Sequence, residues 1–446
     1  MIKLIPVAQL KPGMFLHALN DSRRDHPLWR NEFLLEGEHV RMIVDSGVSE
    51  VWIDESQGLD APDGQTREAV QQAVELELFF AVTAPLPLID PPPSAPGPAS
   101  DHLPMMRLDW QALPPTPPAP SAEPRTAIRP PLNLQRATAL CLHGQAVLRA
   151  LFHDVRLQRE PDYADCIQLV HDIDASVVQD PGALISVARA HRQTECTFVH
   201  LVSVCALMLS LARKMGFNAR QTHQAGLAGL LHDIGKAFIP SHILDKPDQL
   251  TAAEYDVIRT HAARGHEVLA RSAGRLPPMV LAVCLQHHER MDGRGYPHQL
   301  EGHEISLFAR MASVCDVYDA LTSHRPYKDC WDPGETLRQM AQWKGQFDPV
   351  VFQAFVQTVG LYPMGTLVRL ESGLLAVVVA QTEDQPLKPK VKVCHSPSDT
   401  RHIDLWDLDL AARWCKDQIV GVEVPDDPAT GPVERLWAAT SVCEAL

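Results

Sequence analysis

Between residues 85 and 131 the chain cannot sustain a helix or a strand. Pro85, Pro87, Pro91–Pro93, Pro96, Pro98, Pro114, Pro115, Pro117, Pro118, Pro120, Pro124, Pro130 and Pro131 interrupt it. Proline fixes φ and removes a backbone donor, so the stretch favours extended polyproline II and acts as a linker. A chain of 446 residues cut there is expected to fold as separate units, each with its own core. Within the linker, Met105–Leu113 is an apolar island with Met106, Leu108 and Trp110, readable as a docking motif or as a nonspecific sticky spot.

Residues 1–84 read as a small α+β domain. Leu4-Ile5, Met14–Leu16 and Glu50–Ile53 have strand character around a helix near Glu38–Asp45. A second amphipathic helix fits Thr66–Val82, with Val70, Val74, Leu76, Leu78 and Phe79 as its apolar positions. No catalytic constellation occurs here, so the segment is expected to be a docking or regulatory module.

From 132 to 362 the spacing is helical. Leu140–Phe152, Ala164–Val178 and Phe198–Met215 carry apolar residues three and four apart, the last with Val199, Val202, Leu207, Leu211 and Met215 on one inward side. Asn218, Thr251 and Ser306 read as N-caps, Thr251 with Glu254 as a capping box. Pro277-Pro278, Asp332-Pro333 and Asp348-Pro349 read as helix starts. From 363 to 446 the pattern changes to alternating β-branched runs at Thr366–Leu370, Leu374–Ala380 and Lys390–Val393, with a turn at Ser372-Gly373. The expectation is an all-α bundle with a small N-terminal α+β domain and a small β-rich C-terminal appendage.

A net charge of -15 argues against a binder of polymeric nucleic acid. The ten cysteines are scattered without a C-x-x-C pair, which suits reduced thiols, and no unbroken apolar run reaches 18 residues. The opening MIKLIPVAQLKPG is too polar for a signal peptide. A cytoplasmic protein without a membrane partner is therefore expected.

Leu230–Lys236 reads LLHDIGK. Side chains of adjacent helical residues diverge by about 100°, so His232 and Asp233 converge on one ion only at a helix end or kink. Gly235 is expected to provide that end. Two other His-Asp pairs, His153-Asp154 and His171-Asp172, lack the following Gly-Lys. What distinguishes the first is its company: His200, His261, His287, His288 and Asp316 fall on four further helical segments. A bundle can bring such residues to one centre. Seven nitrogen and oxygen donors exceed one tetrahedral ion and suit two octahedral ones. Without thiolate they favour iron, manganese or another borderline metal over structural zinc.

All of these residues but His200 lie in longer motifs. His287–Pro297 reads HHExxDGxGYP and Asp316–Lys328 reads DxxDALTSxRPYK, after HDIGK and His261-x-x-x-Gly265. Over residues 132–362 the chain strongly resembles the HD-GYP family, a bacterial branch of the HD-domain phosphohydrolases. Leu4–Phe15 and Ser46–Ile53 also resemble an uncharacterised domain often found before HD-GYP domains. The resemblance implies a phosphodiesterase of the second messenger cyclic di-GMP. It implies metal ligation by His200, His232, Asp233, His261, His287, His288 and Asp316, with Asp233 bridging two divalent ions, iron or manganese. It places substrate contacts at Tyr296 of the GYP loop, Arg325 and Lys328, and matches Lys236 to the family's HDxGK lysine. Physical chemistry agrees. Two close ions lower the pKa of a bridging water, so that a hydroxide attacks phosphorus, and they clamp the phosphate. Lys236 could neutralise developing charge, Tyr296 could stack on a base, and Gly293 and Gly295 let the loop backbone approach a ligand. Asp292 and Asp319 could orient ligating side chains.

One position departs from the family pattern. Members with a third metal use a Glu four residues before the first His ligand; here that position is Cys196, and Glu195 lies one place earlier. This implies a two-metal site and linear pGpG, rather than GMP, as the main product. Two other readings stay open: an adaptor that binds a signalling protein through residues 1–84 or the GYP loop, and hydrolysis of another cyclic dinucleotide or of a nucleotide.

Overall fold

The structure is a computed structural model. It describes residues 1–21, 32–87, 132–190, 196–246, 250–272, 274–323, 331–382, 385–395 and 406–423. The Met105–Leu113 island lies outside them.

The N-terminal unit contains β1 (Ile2–Pro6), β2 (Phe15–Leu19), β3 (Phe33–Leu34), α1 (Gly37–Asp45), β4 (Glu50–Asp54), β5 (Gln65–Thr66) and α2 (Arg67–Thr83). Its five strands form one antiparallel sheet in the order β3-β2-β4-β1-β5. Ile5, Leu16, Ile43, Val51 and Ile53 fill its core. Thr66 caps α2 by accepting the Ala69 N–H at 3.3 Å. The buried stripe of α2 is Val70, Val74, Leu78 and Val82, spaced four apart. Leu76 and Phe79, expected on that stripe, are 56% and 42% exposed. Residue 76 is two places past Val74, so its side chain points about 200° away. The stripe joins the core of the helical domain rather than that of its own sheet.

The helical domain runs through α3 (Leu132–Arg156), α4 (Ala164–Gln179), α5 (Ala183–Ala190), α6 (Cys196–Lys214), α7 (Ala219–Leu231), α8 (Ser241–Leu244), α9 (Ala252–Arg271), α10 (Pro278–Gln286), α11 (Leu307–Thr322), α12 (Pro333–Gln342) and α13 (Pro349–Val359). The caps at Asn218, Thr251, Ser306, Asp332 and Asp348 each accept the expected backbone N–H. α6 departs from expectation: it has no solvent side over most of its length. Leu201, Val204, Leu207, Met208 and Leu211 are all fully buried, because α3, α4, α5, α7, α11 and α13 surround it. By length and composition alone Thr197–Lys214 could cross a membrane, yet it is the central helix of this bundle.

The C-terminal unit is an antiparallel sheet of β6 (Leu367–Leu370), β7 (Leu375–Ala380), β8 (Lys390–His395), β9 (Trp406–Asp409) and β10 (Ile419–Val422), in the order β10-β6-β7-β8-β9. Asp332 joins it to the bundle. Its carboxylate caps α12 and accepts the Leu367 N–H at 3.3 Å. Burial pushes that carboxyl up to about 6, against these hydrogen bonds.

Candidate metal centre

All seven residues expected to ligate come together where α6, α7, α9, α10 and α11 meet. They form two groups: Asp233 with His261, His287 and His288, and His200 with His232 and Asp316. Six of the seven are buried, and His288 is half-buried.

The His-Asp pair sits at the end of α7, as adjacency requires. His232 is the helical C-cap, and Asp233, at φ -104 and ψ 14, leads into a short 3-10 turn over Ile234–Phe238. Gly235 is not the stop. The helix ends before it, at Leu231, and Gly235 lies inside the turn. A Cβ there would lie 1.9 Å from the His261 carbonyl oxygen and 2.6 Å from the Gly265 nitrogen. Its value is close approach of the turn to α9, which carries His261.

Asp233 presents one oxygen to each group. Its Oδ1 lies 3.2 Å from His261 Nε2 and 3.7 Å from His287 Nε2. Its Oδ2 lies 3.3 Å from His232 Nε2 and 3.9 Å from His200 Nε2, and it also accepts from Lys236 Nζ. Asp316 Oδ1 is 3.0 Å from His200 Nε2 and 3.8 Å from His232 Nε2.

The outer nitrogens of four rings fix which nitrogen faces inward. Carbonyl oxygens only accept, so His232 Nδ1–H donates to Gly229 O (2.8 Å), His261 Nδ1–H to Ile258 O (2.7 Å) and His287 Nδ1–H to Cys284 O (3.0 Å). His200 Nδ1 makes a 2.6 Å contact with Asp319 Oδ2. Each Nε2 is thereby turned to the centre, the arrangement that outer partners impose on metal-binding histidines. The Nε2 atoms of His261 and His287 face each other at 3.3 Å. Two inward lone pairs at that distance repel unless a cation or proton lies between them. His200 Nε2, His232 Nε2 and Asp233 Oδ1 are buried without a well-formed hydrogen bond among the described residues. Donor chemistry, orientation and unsatisfied atoms all fit divalent ions.

In metal-free protein the two groups carry different charge. Burial works against charged His232, but Asp233 and Asp316 outweigh it and raise its pKa to about 10. Burial likewise opposes charge on Asp233 and Asp316, yet Lys236 and His232 hold Asp233, and His200 and His232 hold Asp316, well below the usual carboxylate range. In the other group, burial and the neighbouring rings hold His288 well below, and His287 below, the usual imidazole value. Asp233 and Asp316 thus favour a proton on His232 Nε2 in the metal-free protein, which a divalent ion must displace. Loading metal-free protein with Mn(II) at pH 7 is expected to release protons, and affinity is expected to fall as pH falls. Titration calorimetry in buffers of different protonation enthalpy checks this; a heat independent of buffer contradicts it.

Asp319 orients His200, as foreseen, and is itself held by Ser203 and by Ser323 Oγ at 3.0 Å. Asp319→Asn is expected to lower metal affinity about 10–100-fold, as losses of such outer partners do. Chelator competition measures it, and unchanged affinity contradicts it. Asp292 does not orient a ligand among the described residues. Its carboxylate pairs with Arg290 at 3.2 and 3.1 Å.

The GYP loop borders the His288 side. Tyr296, expected to stack on a base, stacks on His288 with centroids 4.6 Å apart and planes at 25°, and the Arg259 guanidinium lies 4.9 Å over the same ring. Gly295, expected to open the loop to a ligand, instead faces the loop's own backbone. A Cβ there would meet Glu289 Cα at 2.4 Å and Arg290 N at 2.5 Å. Arg325, Lys328, Glu195 and the side chain of Cys196 lie outside the described residues. Sequence reasoning did not single out Arg259, Glu289 or Arg290. Glu289 and Arg290 stand inside the recognised motif; beyond its local pair with Asp292, Arg290 reaches Gln346 and Asp21, which are distant in the chain.

Comparison with known proteins identifies the family. Residues 181–351 match the HD domain model, and residues 2–166 match a domain of unknown function, DUF3391. The cyclic di-GMP phosphodiesterase PA4108 of Pseudomonas aeruginosa is 40% identical over 98% of this chain and 96% of its own length. The cyclic di-GMP phosphodiesterase response regulator RpfG of Xanthomonas campestris is 38% identical over 33% of this chain and 39% of its own. The 3'3'-cGAMP-specific phosphodiesterase 2 of Vibrio cholerae is 34% identical over 36% of this chain and 31% of its own.

Proposed function

The chain belongs to the HD-GYP family of HD-domain phosphodiesterases, and we propose that its own reaction is hydrolysis of cyclic di-GMP to linear pGpG at a site for two divalent ions. The observation that carries this reading is the placement of Asp233, one oxygen toward each group of imidazoles. The seven buried or half-buried donors would hold the ions. When bound, the ions supply a nucleophile at neutral pH and a clamp for the phosphoryl oxygens. Imidazole and carboxylate without thiolate make iron or manganese the expected metal.

The chain's own groups do the rest. The four oriented rings keep Nε2 inward without rearrangement. Lys236, paired with Asp233 and 18% exposed, brings a cation to the edge of the centre, where negative charge builds on the phosphate and the leaving 3′ oxygen. Tyr296 forms a wall beside His288. Arg325 and Lys328 supply a planar fork and a point charge for phosphate or guanine. Cys196 in place of a glutamate is the basis for two ions and for pGpG as the end product. Free buried thiols at Cys141, Cys166, Cys205, Cys284 and Cys315 suit a reducing, cytoplasmic compartment.

The test is product analysis. Protein purified anaerobically and loaded separately with Fe(II) and Mn(II) is given cyclic di-GMP or 3'3'-cGAMP, and products are separated by chromatography. Conversion of cyclic di-GMP to pGpG is expected. Rapid GMP formation would overturn the product assignment, and preference for the mixed dinucleotide would overturn the substrate. Folded, metal-loaded protein without turnover would favour an adaptor.

A further inference from the structure

The loop that carries Tyr296 is braced from two domains. On the helical side, Glu289 accepts the His298 and Leu300 N–H groups at 2.7 and 3.1 Å. Met291 and Asp292 donate their N–H groups to Gln346 O and Gly345 O at 3.2 and 2.9 Å. Arg290 then reaches the other way. The residue is 8% exposed, and Asp292 occupies Nε and Nη2. Nη1 donates to Gln346 Oε1 at 3.3 Å and to Asp21 Oδ1 at 3.1 Å. Asp21 is 3% exposed, follows β2 of the N-terminal domain and stands 269 residues away in the chain. At the outer edge Arg294 also donates across the same boundary, to Gly47 O.

We propose that Asp21 is a positioning residue: through Arg290 the N-terminal domain sets the loop between His288 and Tyr296. This rests on the reading of that loop as the substrate wall. A buried guanidinium that loses one of its two carboxylates must find new partners, and breaking a buried pair is far costlier than breaking a surface one. Arg290 is two residues from His288, and the Tyr296 N–H is tied to His288 O at 3.2 Å, so its displacement moves both ends of the loop. Docking of the domain as a whole does not depend on Asp21. The α2 stripe, the Arg338–Glu75 pair and the bonds from Gln357 to Ala81 O and Ala84 O at 2.8 Å hold it elsewhere. The N-terminal domain thus acts on the reaction by gripping the loop, and whatever shifts that domain changes substrate fit.

Two measurements on the full chain test this: amide hydrogen exchange without metal or substrate, and steady-state kinetics with cyclic di-GMP. Asp21→Ala is expected to speed exchange at Met291–Tyr296 about tenfold while leaving α2 unchanged, and to raise KM about tenfold with little change in kcat. Asp21→Asn, which keeps the shape and loses the charge, is expected to fall between. Lys344→Ala, which removes the exposed 2.7 Å pair to Glu77 at the same domain boundary, is expected to change neither. Unchanged loop exchange, a rise shared by α2, or an unchanged KM overturns the proposal. If the unaltered chain does not turn over cyclic di-GMP, the functional reading fails, and the exchange result alone still decides whether Asp21 sets the loop.

Discussion

Asp233→Asn is expected to lower turnover of cyclic di-GMP at least about a thousandfold, the rate equivalent of about 4 kcal/mol of transition-state stabilisation. Asparagine fills the same space but has one oxygen. It cannot face His261 and His287 with one acceptor and His232 and His200 with another, as Asp233 does at 3.2–3.9 Å. It also removes the anion that pairs with Lys236. Metal content should fall with activity, because the two groups of donors meet through this carboxylate. Initial rates and bound metal measured on the same sample check this. Activity within tenfold of the unaltered protein would contradict it.

Gly235→Ala is expected to be nearly as damaging without touching a ligand. The new methyl would lie 1.9 Å from the His261 carbonyl oxygen and 2.6 Å from the Gly265 nitrogen. Both are backbone atoms, so no side chain can swing away, and α9 must separate from the turn. Overpacking of this kind costs about 3 kcal/mol or more. Because α9 carries His261, the substitution should also pull that ring from Asp233 and weaken metal retention. Thermal melting with metal analysis reads both effects, and an unchanged melting temperature contradicts the packing argument.

The sequence was most legible where local chemistry decides. Asn218, Thr251, Ser306, Asp332 and Asp348 cap the helices they precede, because a cap is satisfied within three residues. The strands from Leu367 to His395 follow their alternation, whereas β10 is a four-residue strand that pairs with β6 across a bulge and has no such run behind it. Six of the seven candidate ligands stand in quoted motifs, while His200 stands in none and follows from the family resemblance; all seven converge where five helices meet. Tertiary contacts were not legible. Periodicity could not tell that α6 would be covered on every side, or that Val82 rather than Leu76 would complete the α2 stripe. A glycine after a helical run reads as a stop, yet Gly235 answers to a neighbouring backbone. Gly295 and Tyr296 look outward in sequence, but they pack on Glu289 and His288. The reach of Arg290 to Asp21 crosses 269 residues and leaves no local trace.

The most direct test of the binuclear reading is the metal count per chain, measured by mass spectrometry on anaerobically loaded protein whose turnover is recorded in parallel. Two ions per active chain are predicted, with His200→Ala losing one and most of the activity. A fully active chain holding a single ion, or one whose activity survives complete metal removal, would contradict it.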